Sequence, residues 1–148
     1  MHVNPYLMFA GCCEAAMNYY ATHLGAEIKA LMRYSDAPPE GPADGQPPCP
    51  VSDPALIMHG AFLLGESLIM ASDTAEAATG PAGVWLSLTA DDERHAAHCF
   101  DALGEGGQIL MPLAPTFFAE QFGMCVDRFG VSWMVIVPRE CGATVEPQ

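Results

Sequence analysis

Histidine is the side chain best suited to acid–base chemistry near neutral pH, and one of the five histidines stands alone in an apolar run. His59 is the only ionisable group between Ala55 and Leu63. An imidazole in that position can serve a cavity as an acid, a base or a ligand anchor, or it can be hydrogen-bonded within a sheet or at its rim. One histidine without a second ligand nearby does not make a metal site. His59 is therefore the candidate catalytic or ligand-binding residue, and a structural role is the alternative.

Other polar residues fall where the chain is expected to turn. The segment D-R-F-G predicts a tight turn in which Asp127 bonds the backbone and Gly130 supplies an unusual backbone conformation. Arg128 in that turn can hold an anionic ligand group bidentately. Asp73 lies between Ser72 and Thr74, and such a run of short polar residues predicts a turn of the chain rather than a catalytic residue.

The cysteines raise the question of a thiol nucleophile. Cys12 and Cys13 fall at a predicted helix start, where the helix dipole lowers a thiol pKa. No partner arrangement of His and Asp accompanies them, so small buried side chains are the preferred interpretation. The chain has no C-x-x-C pair, and a chain of this size does not need disulfide staples. Reduced thiols are expected for all six cysteines: Cys12, Cys13, Cys49, Cys99, Cys125 and Cys141.

Large apolar side chains give the stronger signal of a cavity. The chain has nine methionines, and methionine provides an adaptable surface for an irregular apolar ligand. The alternative is that these residues fill the core or a dimer interface. The predicted ligand pocket comprises His59 with Tyr6, Met70, Trp85, Phe117, Arg128, Trp133 and Met134. Within it, His59 would supply the hydrogen-bonding group, and Trp85 and Trp133 would supply apolar walls with one N–H donor each.

These residues must be positioned by two copies of one unit, because the second half of the chain repeats the first. Residues 64–70 read L-G-E-S-L-I-M, and residues 129–135 read F-G-V-S-W-M-V. A helical stretch closing on Leu-Gly precedes each copy, at Ala15–Leu24 and at His95–Leu103. The spacing is too long for a solenoid repeat and favours two modules in one domain, with a site formed between them.

The apolar pattern predicts a β-α-β-β-β unit in each half, residues 1–75 and 80–140. A proline-rich loop, residues 35–54, interrupts the first unit. In the second, Thr89 or Asp91 is expected to cap the helix. The predicted strands are Val3–Phe9 near a sheet edge, Ile28–Tyr34, Ala55–Leu64, Ser67–Ala71, Val84–Leu88, Ile109–Leu113, Gly123–Asp127 and Val131–Val137, with Ala114–Phe122 as a loop or short helical turn.

Composition excludes several classes of protein. With 148 residues, 51% hydrophobic and 16% charged, the chain is long and apolar enough for a single folded domain. A net charge of −13 with five basic residues argues against nucleic acid as a partner. The sequence has no apolar run of membrane-spanning length and no secretory signal, which predicts a cytoplasmic protein.

Six further stretches follow one another along the chain: P-Y-L-M-F-A-G at 5–11, Y-Y-x-x-x-L-G-A at 19–26, I-M-A-S-D at 69–73, G-G-Q-I-L-M-P-L at 106–113, T-F-F-A at 116–119 and D-R-F-G-V-S-W at 127–133. In this order they resemble the PhnB-like branch of the vicinal oxygen chelate superfamily, the group of glyoxalases, bleomycin-resistance proteins and extradiol dioxygenases. The resemblance implies an α+β fold of paired modules, a curved and mostly antiparallel mixed sheet around a cavity with the helices outside, and a homodimer. The branch is sometimes labelled a demethylubiquinone methyltransferase, but the sequence has no Gly-rich strand–helix turn for a nucleotide-like cofactor.

Metal-dependent members of the superfamily carry His, Glu or Gln on four strands facing one cavity. The resemblance places the corresponding positions near Asn4 or Pro5, Ile69 or Met70, Trp85, and Met134. None of these is a histidine or a carboxylate. We therefore expect no metal of the superfamily type and no other cofactor.

Three functions remain open. The first is a PhnB-like protein that binds a small molecule and lacks the superfamily metal. The second is a metal-dependent lyase, isomerase or dioxygenase, and the third is a dimer that sequesters a drug. A homodimer is expected in addition, because two small modules leave apolar sheet surface that a two-fold partner can cover.

Overall fold

The computed structural model describes residues 1–37, 53–75 and 83–139. The chain divides into two compact units, Met1–Ala82 and Gly83–Gln148. Within the described residues, each unit contains one α-helix and one mixed four-stranded sheet. In those same stretches, no helix is both long and apolar enough to cross a membrane.

In the first unit, β1 and β4 are parallel and the other pairs are antiparallel, in the order β1-β4-β3-β2. The strand β1 therefore lies at the sheet edge, as the sequence predicts. Gly25 ends the helix α1 in the left-handed conformation with φ of 71°, which a residue without Cβ adopts most easily. The elements are β1 Tyr6–Phe9, α1 Cys13–Leu24, β2 Glu27–Arg33, a 3-10 turn Tyr34–Asp36, β3 Ile57–Leu64 and β4 Ser67–Asp73.

The second unit repeats this topology. Its order is β5-β8-β7-β6, with β5 parallel to β8 and the other pairs antiparallel. This confirms the prediction of two β-α-β-β-β modules in an α+β fold. The elements are β5 Leu86–Thr89, α2 Glu93–Gly104, β6 Gln108–Ala114, β7 Ala119–Val126 and β8 Ser132–Pro138.

Three local predictions need correction. The segment predicted as a loop or short helical turn up to Phe122 is wrong from Ala119 onward, because β7 begins there and pairs with β8. The residue that caps α2 is Asp92, not Thr89 or Asp91. The start of the predicted proline-rich loop is a 3-10 turn, and residues 38–52 of that loop lie outside the described residues, as do Cys49 and Cys141.

The helix α1 covers one face of the first sheet. The Tyr20 ring lies 5.8 Å from the Phe62 ring, and a Cβ on Gly60 would come within 2.6 Å of the Met17 sulfur. Side chains alternate between the two faces of a strand, so neighbours of Gly60 and Phe62 point away from α1. We call that side the first open face, defined by Tyr6, Met8, Met32, His59 and Met70.

The helix α2 packs in the same way on the second sheet. A Cβ on Gly123 would lie 2.7 Å from the Phe100 ring, and Gly123 pairs with the buried Val135. The second open face, on the other side, comprises Met111, Phe122, Met124, Met134 and Ile136.

The repeated motifs do not occupy equivalent faces. Ile69 pairs with Phe62 beneath α1, whereas Met134, its counterpart in the motif alignment, lies on the second open face. Two residues join β3 to β4, Gly65 and Glu66, but residues 127–131 join β7 to β8. The two connections differ by three residues, an odd number. Each side chain of β4 and its aligned counterpart on β8 therefore point to opposite faces of their sheets. The modules therefore repeat in topology but not in residue register.

Candidate functional site

The first open face brings three of the predicted site residues together. Tyr6 on β1 is the parallel partner of Met70 on β4, and His59 lies on β3, the next strand of the sheet. The Tyr6 hydroxyl is 3.4 Å from the His59 Nδ1, and the two ring centroids are 6.0 Å apart at 42°. This is a long hydrogen bond whose direction depends on the imidazole tautomer. The pair spans β4 and leaves the His59 Nε2 as the second polar atom of the ring.

Methionines surround this pair. Met32 is the cross-strand partner of His59 on β2, and Met8 lies two residues after Tyr6 on β1. Tyr6, Met8 and Met32 are 45%, 51% and 44% exposed, although each is a large apolar side chain. Such a surface offers flexible apolar contacts with two adjacent hydrogen-bonding groups, which suits an apolar ligand with a polar substituent.

Asp73 is the buried carboxylate that positions β3. Its Oδ2 accepts a hydrogen bond from the Ile57 N–H at 2.9 Å, and its Oδ1 accepts one from the Cys13 N–H at 2.9 Å. Its backbone oxygen accepts the Tyr34 hydroxyl at 3.2 Å. Asp73 is the last residue of β4, so it holds a strand end to the starts of α1 and β3 rather than forming a turn. His59 follows Ile57 by two residues and is fixed through the same strand.

The thiol at the helix start is not activated. Burial, followed by the neighbouring Asp73 carboxylate, raises the pKa of Cys13 to about 12. Burial likewise raises the pKa of Cys125 to about 11, with a further contribution from Asp127. Within the described ranges, none of Cys12, Cys13, Cys99 and Cys125 forms a disulfide. These two protonated, buried thiols behave as small apolar side chains.

In the second unit, the Trp133 side chain is hydrogen-bonded to the connection between β7 and β8. Its indole N–H donates to the Asp127 Oδ2 at 2.9 Å, and the ring is 2% exposed. The Asp127 Oδ1 accepts the Phe129 and Val131 backbone N–H groups at 2.9 and 3.0 Å, which confirms the predicted backbone bonding by Asp127. The Trp133 N–H, predicted from the sequence to donate to a ligand, therefore donates to Asp127 of the protein itself. Because Trp133 and Met134 are consecutive on β8, they point to opposite faces.

The three remaining predicted site residues are Arg128, Phe117 and Trp85. Arg128 donates from Nε to the Glu105 backbone oxygen at 3.1 Å, and its Nη2 is 3.9 Å from the Glu105 carboxylate. Phe117 is 93% exposed and touches Phe118 edge to face, with ring centroids 5.1 Å apart. Trp85 is half-buried directly before β5. A ligand pocket containing all eight residues stays a prediction.

The described residues contain no group of three or more His, Cys, Asp or Glu side chains that could hold one metal ion. Of the positions where the superfamily has metal ligands, Met70 and Met134 both lie on open faces, and both are thioethers. The expectation of no superfamily-type metal stays a prediction.

The predicted pocket lacks two members of the first open face, Met8 and Met32, and one supporting residue, Asp73. Met32 could have been found from strand alternation, since Ala30 and Met32 share a face of β2. The role of Asp73 rests on partners 60 and 16 positions away, and no local pattern encodes them.

Known proteins resemble this chain over most of its length. The family model described as 3-demethylubiquinone-9 3-methyltransferase matches residues 1–136. A curated relative, Protein YjdN of Escherichia coli (strain K12), is 31% identical over 144 residues, which are 95% of this chain and 97% of that protein.

Solved structures show the same fold. Protein PA1353 from Pseudomonas aeruginosa has a TM-score of 0.78 at 40% identity, covering 93% of this chain and 98% of that one. A Bacillus cereus structure described as a putative 3-demethylubiquinone-9 3-methyltransferase, PhnB protein, has a TM-score of 0.75 at 27% identity and covers 93% and 99%. A glyoxylase/bleomycin resistance protein/dioxygenase domain from Frankia sp. EAN1pec, at 12% identity, covers 95% and 94% and has a TM-score of 0.63. This last similarity concerns the fold alone.

Proposed function

The chain belongs to the PhnB-like family whose model is described as 3-demethylubiquinone-9 3-methyltransferase, within the vicinal oxygen chelate superfamily, and we propose that it binds a small molecule on the first open face. The observation that carries the proposal is the Tyr6–His59 pair among exposed methionines. An apolar ligand would contact the methionine side chains, and one polar group of that ligand would bond to His59.

The family description names methyl transfer, which we do not propose for this chain. The junction between β1 and α1, residues 10–12, reads A-G-C, and the junction between β5 and α2, residues 90–92, reads A-D-D. Neither is a Gly-rich turn of the kind that cradles a nucleotide-like cofactor. These junctions support a binding function over methyl transfer from such a cofactor.

The test is a thermal-shift screen of small metabolites and drugs against the purified protein. We expect at least one class of apolar compound to raise the melting temperature. His59→Ala should abolish the shift and Tyr6→Phe should reduce it, because each removes a polar atom from the face. The matched control is His98→Ala, which removes an exposed imidazole from α2 and should leave the shift unchanged. A compound that stabilises the wild type and the His59→Ala variant equally would contradict the proposal.

We also propose that the protein functions without the divalent ion of its superfamily. The support is chemical: thioethers are soft ligands and bind hard or borderline divalent ions poorly. Elemental analysis of purified protein tests this point. A stoichiometric divalent ion would instead favour the metal-dependent lyase, isomerase or dioxygenase.

A homodimer is the third part of the proposal. The second unit exposes apolar side chains on β6 and in the segment after it: Ile109 is 44%, Leu110 49% and Phe118 47% exposed. A two-fold partner is the commonest cover for such a surface. Sedimentation velocity should show a dimer at micromolar concentration, and a monomer would remove this part of the proposal.

A further inference from the structure

The first open face combines an imidazole with thioethers, and this combination has a metal preference of its own. We propose that His59, Met32 and Met70 form a site for a soft monovalent cation of the Cu(I) class. The inference goes beyond the proposed function: it assigns a second kind of ligand to the same face, and it requires neither an organic ligand nor the superfamily metal. Imidazole suits copper, and thioether sulfur selects Cu(I) over hard cations such as Mg²⁺ and Ca²⁺.

The register of the sheet brings the three donors together. Met32 is the direct cross-strand partner of His59, and directly paired residues have Cβ atoms about 4.5–5.5 Å apart. Met70 pairs with Ala61, two residues from His59 on the same face, which makes it a diagonal neighbour at about 7–8 Å. A methionine side chain has three rotatable bonds, so both sulfurs can reach the imidazole.

Tyr6 provides the outer support that a metal-bound histidine normally has. Such a histidine usually offers its second ring nitrogen to a hydrogen-bonding group, which fixes the tautomer and the ring orientation. With the proton on Nδ1, the ring donates to the Tyr6 hydroxyl oxygen at 3.4 Å, and Nε2 is left with its lone pair for the cation. Tyr6 would therefore act as a positioning residue for the site.

The second open face supplies an internal comparison. Met111 is 44% exposed and lies on the edge strand β6, and Met32 is also 44% exposed and lies on the edge strand β2. The cross-strand partner of Met111 is Met124, whereas that of Met32 is His59. The two methionines thus differ in having or lacking an imidazole beside them. The inference requires tighter cation binding at Met32.

Silver(I), a redox-stable stand-in for Cu(I), is the probe. We would titrate silver nitrate, in chloride-free buffer, into protein carrying ¹³C-labelled methionine methyl groups and follow them by NMR. The Met32 and Met70 methyls should shift at least about tenfold earlier in the titration than the Met111 methyl. The Met17 methyl serves as the reporter for silver that binds to the Cys13 thiol instead, because the Met17 sulfur lies 3.8 Å from the Cys13 sulfur. Movement of Met17 alone, or of Met111 at the same silver concentration as Met32, would overturn the inference.

Two variants test the proposed ligand set. Met32→Leu keeps the apolar volume but removes the sulfur, so the Met70 methyl should lose its early silver response. Met111→Leu is the matched control and should leave the Met70 response unchanged. A Met32→Leu protein that keeps the early Met70 response would exclude Met32 as a ligand. If the methyls show the early silver response but no organic compound raises the melting temperature in the thermal-shift screen, the proposed function fails and the cation site stands.

Discussion

The two helices begin at the same point of the module, four residues after the first strand, yet different side chains cap them. At α2 the cap is local, because the Asp92 carboxylate accepts the His95 N–H at 2.7 Å. The N-cap residue of α1, Cys12, makes no side-chain cap bond. Instead, the Cys13 N–H donates to Asp73 at the end of β4. One topological position is thus stabilised by a neighbouring residue in one unit and by a distant buried one in the other.

Removing the distant cap should have the largest effect. Asp73→Ala leaves the buried Cys13 and Ile57 N–H groups without their acceptor, and hydrogen bonds to charged groups contribute about 1.5–3 kcal/mol each. We expect a loss of about 4 kcal/mol in the free energy of unfolding, measured by urea denaturation. Asp73→Asn, which retains one acceptor oxygen, should recover part of the loss. A cost no larger than that of removing the α2 cap would erase the contrast between the two helices.

Asp127 is a buried carboxylate of the second unit, and the side-chain hydrogen bonds described above lie within its own hairpin. Asp127→Ala removes the acceptor of the Trp133 indole and of two partly buried backbone N–H groups. We expect a loss of about 2–3 kcal/mol, because two of the three donors can regain water. The fluorescence of Trp133 should change with it, since the indole N–H loses its partner. Trp133→Phe in the wild-type background shows how much of the effect belongs to that single bond.

Removing the local cap of α2 should cost less. Asp92→Ala loses one exposed cap bond, and such changes cost about 1 kcal/mol. Asp92→Ser is the matched control, since serine is also a good cap, and it should retain most of the stability. If Asp92→Ala destabilised the protein as much as Asp73→Ala, local and distant capping would be equivalent here.

The smallest effect concerns an ion pair at the start of α1. Two hydrogen bonds from Arg33, at 2.7 and 2.8 Å, lower the pKa of the Glu14 carboxyl. A lowered pKa in the folded state gives stability that is present above the ordinary glutamate value and is lost as the pH falls toward the folded one. Both side chains are more than a third exposed, so Glu14→Gln should cost about 0.5 kcal/mol or less at neutral pH. Urea denaturation should show the difference disappearing on acidification, and a difference that grows would contradict the pairing.

Local signals in the sequence predict much of the fold, and features that depend on distant residues escape them. Apolar periodicity and glycine stops predicted both helices and the module topology, because those signals are local. The α2 cap was misplaced by one residue from Asp91, since consecutive aspartates leave the cap ambiguous. The start of β7 at Ala119 was missed because pairing with β8, rather than local propensity, makes it a strand.

The candidate site residues show the same difference between local sequence signals and contacts with distant residues. Tyr6, His59 and Met70 come together because alternation along a strand is a local rule. Trp133 and Met134 were assigned to one pocket although they are adjacent on one strand, so their opposite directions were already implied. The bond from Trp133 to Asp127 depends on how a five-residue connection folds back, which strand periodicity does not encode.

The parallel strand pairs carry a consequence for chain entropy. In the first unit, Tyr6 pairs with Met70, 64 residues later, and in the second, Leu86 pairs with Trp133 after 47 residues. Closing a longer loop costs more entropy, but the cost rises only with the logarithm of loop length, so this difference is about 0.3 kcal/mol. The connection between β2 and β3 can therefore change in length during evolution or in the laboratory with little thermodynamic consequence for the sheet that it joins.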